Sequence, residues 1–207
     1  MAARRIPLWL KILYTAWIAV WVPCYWDYYH WYNFLWFCDI ACLVLCVAIW
    51  IESTLLFSWQ AVSVLLVQVV WIVGYFGHLT VGGPALGTGY MFDADIPLYI
   101  RRLSFFHVAM PPMLLWGVRR LGYDRRAFWC QSALTQAILP LSWLLAPRYK
   151  DINWVWGPWD KEQHRLAPIP YLVLCMIAYP IVLYLPAHLF LRWWARRPSV
   201  DTPEQPR

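Results

Sequence analysis

Three residues have the right types to do chemistry together. Cys38 and Asp39 are adjacent inside one apolar run, and His107 lies inside another, within Ser104-Phe105-Phe106-His107-Val108. A thiol becomes a useful nucleophile when a histidine accepts its proton, and a carboxylate can orient that imidazole. Neighbouring helical residues point about 100° apart, so Cys38 and Asp39 do not both face His107 squarely. Counted from Asn33 and from Pro97, the two positions lie roughly 8 and 15 Å into their helices, each uncertain by about a turn. They can therefore share one level. The competing reading is packing: Asp39 paired with Arg101 or Arg102, and His107 bonded between helices.

The elements that must carry these residues are membrane helices. The chain has 207 residues, 62% hydrophobic and 14% charged, with 17 tryptophans. A soluble domain is about 25% charged and about 45–50% apolar. Indole rings settle at lipid–water interfaces. This composition excludes a disordered chain, a collagen and an ordinary soluble enzyme. The net charge of +6 comes from basic residues beside apolar spans. No basic stripe on a soluble face suggests a nucleic-acid partner.

A span needs about 20 mostly apolar residues. Six segments qualify, at about 7–26, 31–51, 54–76, 96–118, 127–145 and 167–191. The expectation is an all-α, polytopic membrane protein, one six-helix domain over 1–197 with a disordered tail over 198–207. Lys11 is placed to snorkel at the start of the first helix. Pro111-Pro112 removes two successive amide donors, which predicts a kink in the fourth helix. Arg4, Arg5, Lys11, the Arg119–Arg126 cluster, Arg192, Arg196, Arg197 and Arg207 would lie on one side. Arg101, Arg102, Arg148, Lys150, Lys161 and Arg165 would lie on the other. The positive-inside rule then puts both termini in the cytoplasm of a bacterial inner membrane. The N-terminal run has no A-x-A-like site and reads as a retained first helix.

Two long outer loops follow, over 77–95 and 146–166, and long loops are where function tends to sit. Asp93 is placed to cap or pair with Arg101 and Arg102 at the head of the fourth helix. Asn153, within Asn153-Trp154-Val155-Trp156-Gly157-Pro158, can satisfy loop backbone or hydrogen-bond a ligand. Cys24, Cys38, Cys42, Cys46, Cys130 and Cys175 show no zinc spacing and no disulfide framework. Cys42 and Cys46 read as packing, and no histidine pair has metal-site spacing. The sequence calls for no metal and no cofactor.

The whole chain resembles a group of uncharacterised membrane-associated proteins from planctomycete-type bacteria. The resemblance rests on IPLWLKILYTAW, NFLWFCDIACLVL, YMFDADIPLYIRRLSFFHVAMPPMLLW, LGYDRRA and INWVWGP. More distantly, FLWFCDIACLVL and LSFFHVAMPPMLLW look like two helices of the YwaF-type bacterial membrane proteins. Those are similar to the androgen-induced-gene kind of intramembrane lipid hydrolases and acyltransferases. The resemblance implies a nucleophile at Cys38 and a histidine at His107, with Asn153 on a motif of unknown role. Trp36 departs from the pattern, standing where those relatives often carry histidine.

Three function classes stay open. One is an intramembrane lipid hydrolase or acyltransferase, with Cys38 attacking, His107 as base and Asn153 or loop amides holding the oxyanion. A second is a non-catalytic membrane protein with a protein partner. The third is a small transporter. The lipid bilayer is the partner common to all three.

Overall fold

The structure is a computed structural model that describes residues 6–196. Arg4, Arg5, Arg197, Arg207 and the 198–207 tail lie outside the described residues. The described chain is helical, with no strand among its elements. The helices are α1 (Leu8–Tyr29), α2 (Phe37–Ile51), α3 (Thr54–Val81), α4 (Leu98–Leu103), α5 (Phe106–Leu121), α6 (Ala127–Leu145), α7 (Pro168–Ala178) and α8 (Leu185–Trp194). A π-helical stretch, Tyr179–Tyr184, joins α7 to α8 in one run. Pro180 and Pro186 lie inside this run, where each removes an amide donor from the ladder, and the π-helical stretch falls between Ala178 and Leu185.

Among the described residues three helices are long and apolar enough to cross a membrane: Leu8–Tyr29, Thr54–Val81 and Pro168–Trp194. The most apolar stretch of α3 is 56% buried, against 17% in α1 and 22% in the last helix. So α3 is the central post, and the other two are peripheral. Gly117 of α5 lets the α3 side chain Phe57 come against its backbone, where a Cβ would collide with the ring. The buried polar residues of α6, Gln131, Thr135 and Ser142, face this core. Gln131 accepts from Trp59 Nε1 of α3 at 2.8 Å and donates to Tyr184 Oη at 3.2 Å. Thr135 bonds the same Tyr184 hydroxyl at 2.8 Å.

The segments alternate in direction. At one end Lys11 of α1 pairs with Glu52 between α2 and α3 at 2.6 Å. There too Thr54 donates to the Leu121 carbonyl at 3.1 Å, and the Asp124 amide donates to Ser58 at 2.9 Å. Lys11 is thus an ion-pair partner, where the sequence suggested a snorkelling cation. At the other end meet the exit of α1, the start of α2, the exit of α3, the start of α4 and the exit of α6. Both long loops fold in there.

Three local departures from expectation matter for function. The second segment does not begin as an α-helix at Trp31. His30 has φ 67°, Trp31–Leu35 is a 3-10 turn and Trp36 is extended, so α2 starts at Phe37. The fourth segment breaks at Ser104 and Phe105, whereas α5 runs on through Pro111 and Pro112. The interruption the prolines suggested falls about two turns earlier. The third segment continues five residues past Phe76 before Gly82, at φ 67°, ends it.

Candidate functional site

Both interrupted segments break against the same space. A cavity of about 260 Å³ is lined by Cys38, Asp39 and His107, together with Tyr25, Tyr29, Asn33, Trp36, Trp71, Tyr90 and Ser104. Lys150, Ile152 and Trp154 of the second long loop complete it on one side, and Leu86, Gly87 and Ile96 of the first on another. Unwinding the chain beside a cavity is how helical proteins present polar groups within an apolar interior.

Asp39 sits in the first turn of α2, where the positive end of the helix dipole favours a carboxylate. It is 3% exposed, and its Oδ2 accepts from Asn33 Nδ2 at 2.6 Å. Among the described residues no arginine, lysine or histidine forms an ion pair with it. The proposed pairing with Arg101 or Arg102 does not occur. Arg101 donates to the Met91 carbonyl at 3.3 Å, and its Nε is buried without a partner. Arg102 is exposed.

His107 has a fixed tautomer. Its Nδ1 lies 2.8 Å from the Ser104 carbonyl oxygen, which only accepts, so Nδ1 carries the proton. In the neutral ring Nε2 is then the unprotonated nitrogen. Among the described residues no hydrogen bond engages Nε2. The ring stacks on Trp71 at 4.7 Å and on Phe106 at 4.0 Å, which holds its plane. The bond is to the chain's own preceding turn, not to another helix as the packing reading required. Trp71 in turn donates to Tyr90 Oη at 3.1 Å, and Tyr25 shares a hydrogen bond with Ser104 Oγ at 2.6 Å. Burial raises the Tyr90 phenol well above its ordinary value, so it stays protonated.

Cys38 is a buried free thiol on the cavity wall. No hydrogen bond joins it to His107 among the described residues. Cys42 and Cys46 lie one and two turns further along. The Cys42 carbonyl accepts from Tyr14, and Cys46 Sγ is 3.9 Å from Thr15 Oγ1. All six thiols are free.

Asn153 is elsewhere, and its amide is fully used. Its Oδ1 accepts from the Phe37 amide at 3.1 Å, which otherwise has no partner at the start of α2. Its Nδ2 donates to the Leu35 carbonyl at 2.8 Å and to Ser142 Oγ at 3.1 Å. Asn153 is therefore a clamp for the α2 start and not a cavity donor. Its own carbonyl accepts from Tyr179 at 2.8 Å, and that of Trp154 from Tyr171 at 3.2 Å. These bonds hold Asp151, Asn153 and Trp154 at φ 41°, 56° and 54°. For a tryptophan that is an outlier kept in place by its surroundings. Asp93 is exposed and accepts from the Asp95 amide at 2.9 Å. Neither Asp93, Arg101, Arg102 nor Asn153 lines the cavity.

The sequence did not single out Tyr25, Tyr29, Asn33 or Trp71 as site residues, and it marked Tyr90 only within the Tyr90-Met91-Phe92-Asp93 stretch as a candidate cap over the outer face. Asn33 and Asp39, six apart, and Ser104 and His107, three apart, were the available signals. Among the described residues no cluster of three or more metal-ligating side chains occurs. No family model matches the chain, and neither a curated protein nor a solved structure is significantly similar to it.

Proposed function

We propose that this chain crosses a membrane six times and that its cavity is the active site of an intramembrane lipid hydrolase or acyltransferase. The alternating direction of the segments supports six crossings. So do the bare apolar side chains on the outside, such as Val20, Val47, Val73, Leu144 and Ile177. The observation that carries the catalytic reading is His107. Its Nδ1 proton is anchored on Ser104, so the cavity it lines receives a base nitrogen in a fixed plane.

In this reading Cys38 gives its thiol proton to His107 Nε2 as Sγ attacks an acyl carbonyl. The imidazolium returns that proton to the departing alcohol oxygen. Water, or an acceptor alcohol, then attacks the thioester with His107 again as base, and the thiol is regenerated. The Sγ–Nε2 contact must form with the acyl group in place, since catalytic hydrogen bonds often tighten only in the complex. Asn153 is spent on backbone and Tyr25 on Ser104, so the oxyanion falls to another hydroxyl of the wall such as Tyr90.

The test is labelling of membranes with a lipophilic cysteine-reactive probe, comparing wild type with Cys38→Ala and His107→Ala. Fast labelling that is lost in both variants supports the reading and justifies a lipid-ester screen. Labelling indifferent to His107, or absent at Cys38, ends it.

A further inference from the structure

The chemistry proposed for Cys38 and His107 leaves Asp39 unexplained. A buried carboxyl in an apolar surround is expensive without a counter-charge, and in membrane segments such groups mark the partner they pair with. Asp39 is 3% exposed, has one neutral donor in Asn33, and has no cationic partner among the described residues. It opens on a cavity whose wall is part aliphatic, with Val67, Val70 and Ile152, and part aromatic, with Tyr25, Trp36, Tyr90 and Trp154 among its rings. Rings of this kind attract cations electrostatically, and several around one point form the usual cage for a quaternary ammonium. One ring already holds a cation. Lys150 Nζ lies 5.5 Å from the centroid of Tyr29.

We propose that the cavity binds an organic ammonium group, with Asp39 as its counter-charge and the Tyr25, Trp36 and Trp154 rings on its walls. At about 260 Å³ the space is just below the roughly 300 Å³ at which drug-sized sites begin. It takes a headgroup and not a whole lipid. Lys150 also lines it, so the anionic half of a zwitterion such as phosphocholine would meet a positive charge. The ammonium can come from a lipid headgroup or from a free solute. This inference does not depend on Cys38 being a nucleophile.

The experiment titrates the full chain, purified in a maltoside detergent, with choline, phosphocholine and dimethylbutanol, the neutral carbon isostere of choline. Choline should bind at least roughly tenfold more tightly than the isostere, since only it carries the charge. Asp39→Asn should weaken choline by a similar factor. Trp36→Leu is the second variant, read if Asp39→Asn does not fold, and should also weaken choline. Lys150→Met should weaken phosphocholine and spare choline. In nanodiscs, choline binding suppressed by phosphatidylcholine but not by phosphatidylglycerol identifies the lipid headgroup as the occupant. Binding equal in both identifies a free solute, and either result supports the site. Equal affinity for choline and its isostere, or no binding of choline or phosphocholine, overturns the proposal. Choline binding that persists in Cys38→Ala, with labelling lost, shows that the two readings stand or fall separately.

Discussion

Asn33 Nδ2 donates to Asp39 Oδ2 across 2.6 Å, and both residues are buried. The bond closes the 3-10 turn Trp31–Leu35 onto the first turn of α2, so one interaction both orients the carboxyl and fixes the chain reversal. Removing Asn33 leaves the carboxyl without the one side-chain donor it has among the described residues. Asn33→Leu should therefore lower the thermal unfolding midpoint by the equivalent of about 1–3 kcal/mol. The double change Asn33→Leu with Asp39→Leu should cost less than the two singles added. A fully additive cycle would show that the pair is not coupled.

Asn153 makes three hydrogen bonds to the α1–α2 connection and α6 from a residue in the second long loop. Asn153→Ala strands the Phe37 amide and forces alanine into φ 56°, a conformation asparagine tolerates better. A loss of about 2–4 kcal/mol in unfolding free energy is expected. Faster protease cleavage should appear between 146 and 166. Asn153→Asp keeps the acceptor for Phe37 but sets a carboxylate oxygen against the Leu35 carbonyl in a buried site, so it should destabilise at least as much as alanine. An alanine variant as stable as wild type would contradict the clamp.

The helices were legible because apolar runs of span length are hard to read otherwise, and α6 occupies the 127–145 expected for it. The interruptions were not legible. At Trp31–Trp36 the α-helix gives way where a distant group satisfies the backbone, Asn153 for the Phe37 amide, while at Ser104–Phe105 the amides keep local bonds to the Ile100, Arg101 and Arg102 carbonyls and Tyr25 meets the Ser104 hydroxyl. Such partners are more than seventy residues away and leave no local trace. Pro111 and Pro112 misled for the opposite reason. Their local cost was visible, but α5 runs on through them and the break lies upstream, beside the cavity. Cys38, Asp39 and His107 stood out as reactive or ionisable types in apolar surroundings. Asn33 and Tyr25 did not, since polar residues at helix ends are ordinary. Arg101, Arg102 and Asp93 stood out by charge, yet their side chains do not line the cavity.

Gly117 marks the closest approach of α5 to α3. A Cβ there would fall on the ring of Phe57, which is fully buried and cannot move aside into solvent. Gly117→Ala should destabilise by about 1–3 kcal/mol, the usual cost of overpacking. Phe57→Leu should recover part of that loss when combined with it, although Phe57→Leu alone destabilises. If the double variant is no better than Gly117→Ala, the collision is not with Phe57.

Asp124 offers a pH test outside the apolar segments, in the turn between α5 and α6. Arg126 donates to it from Nε at 3.1 Å and from Nη2 at 2.7 Å, and these bonds hold its carboxyl below the ordinary 3.8. A carboxyl whose folded value is depressed adds stability above its unfolded value. That contribution is lost as pH falls through the folded value. Asp124→Asn keeps the side-chain oxygen that accepts from the Arg126 amide but removes the charge. Its unfolding midpoint should lie slightly below wild type at neutral pH. The gap should close as the pH is taken below 3.8 and also shrink in high salt, since Arg126 is exposed and its charge is screened. A gap that persists in acid would assign the effect to the turn geometry shared with Ser58 and not to the ion pair.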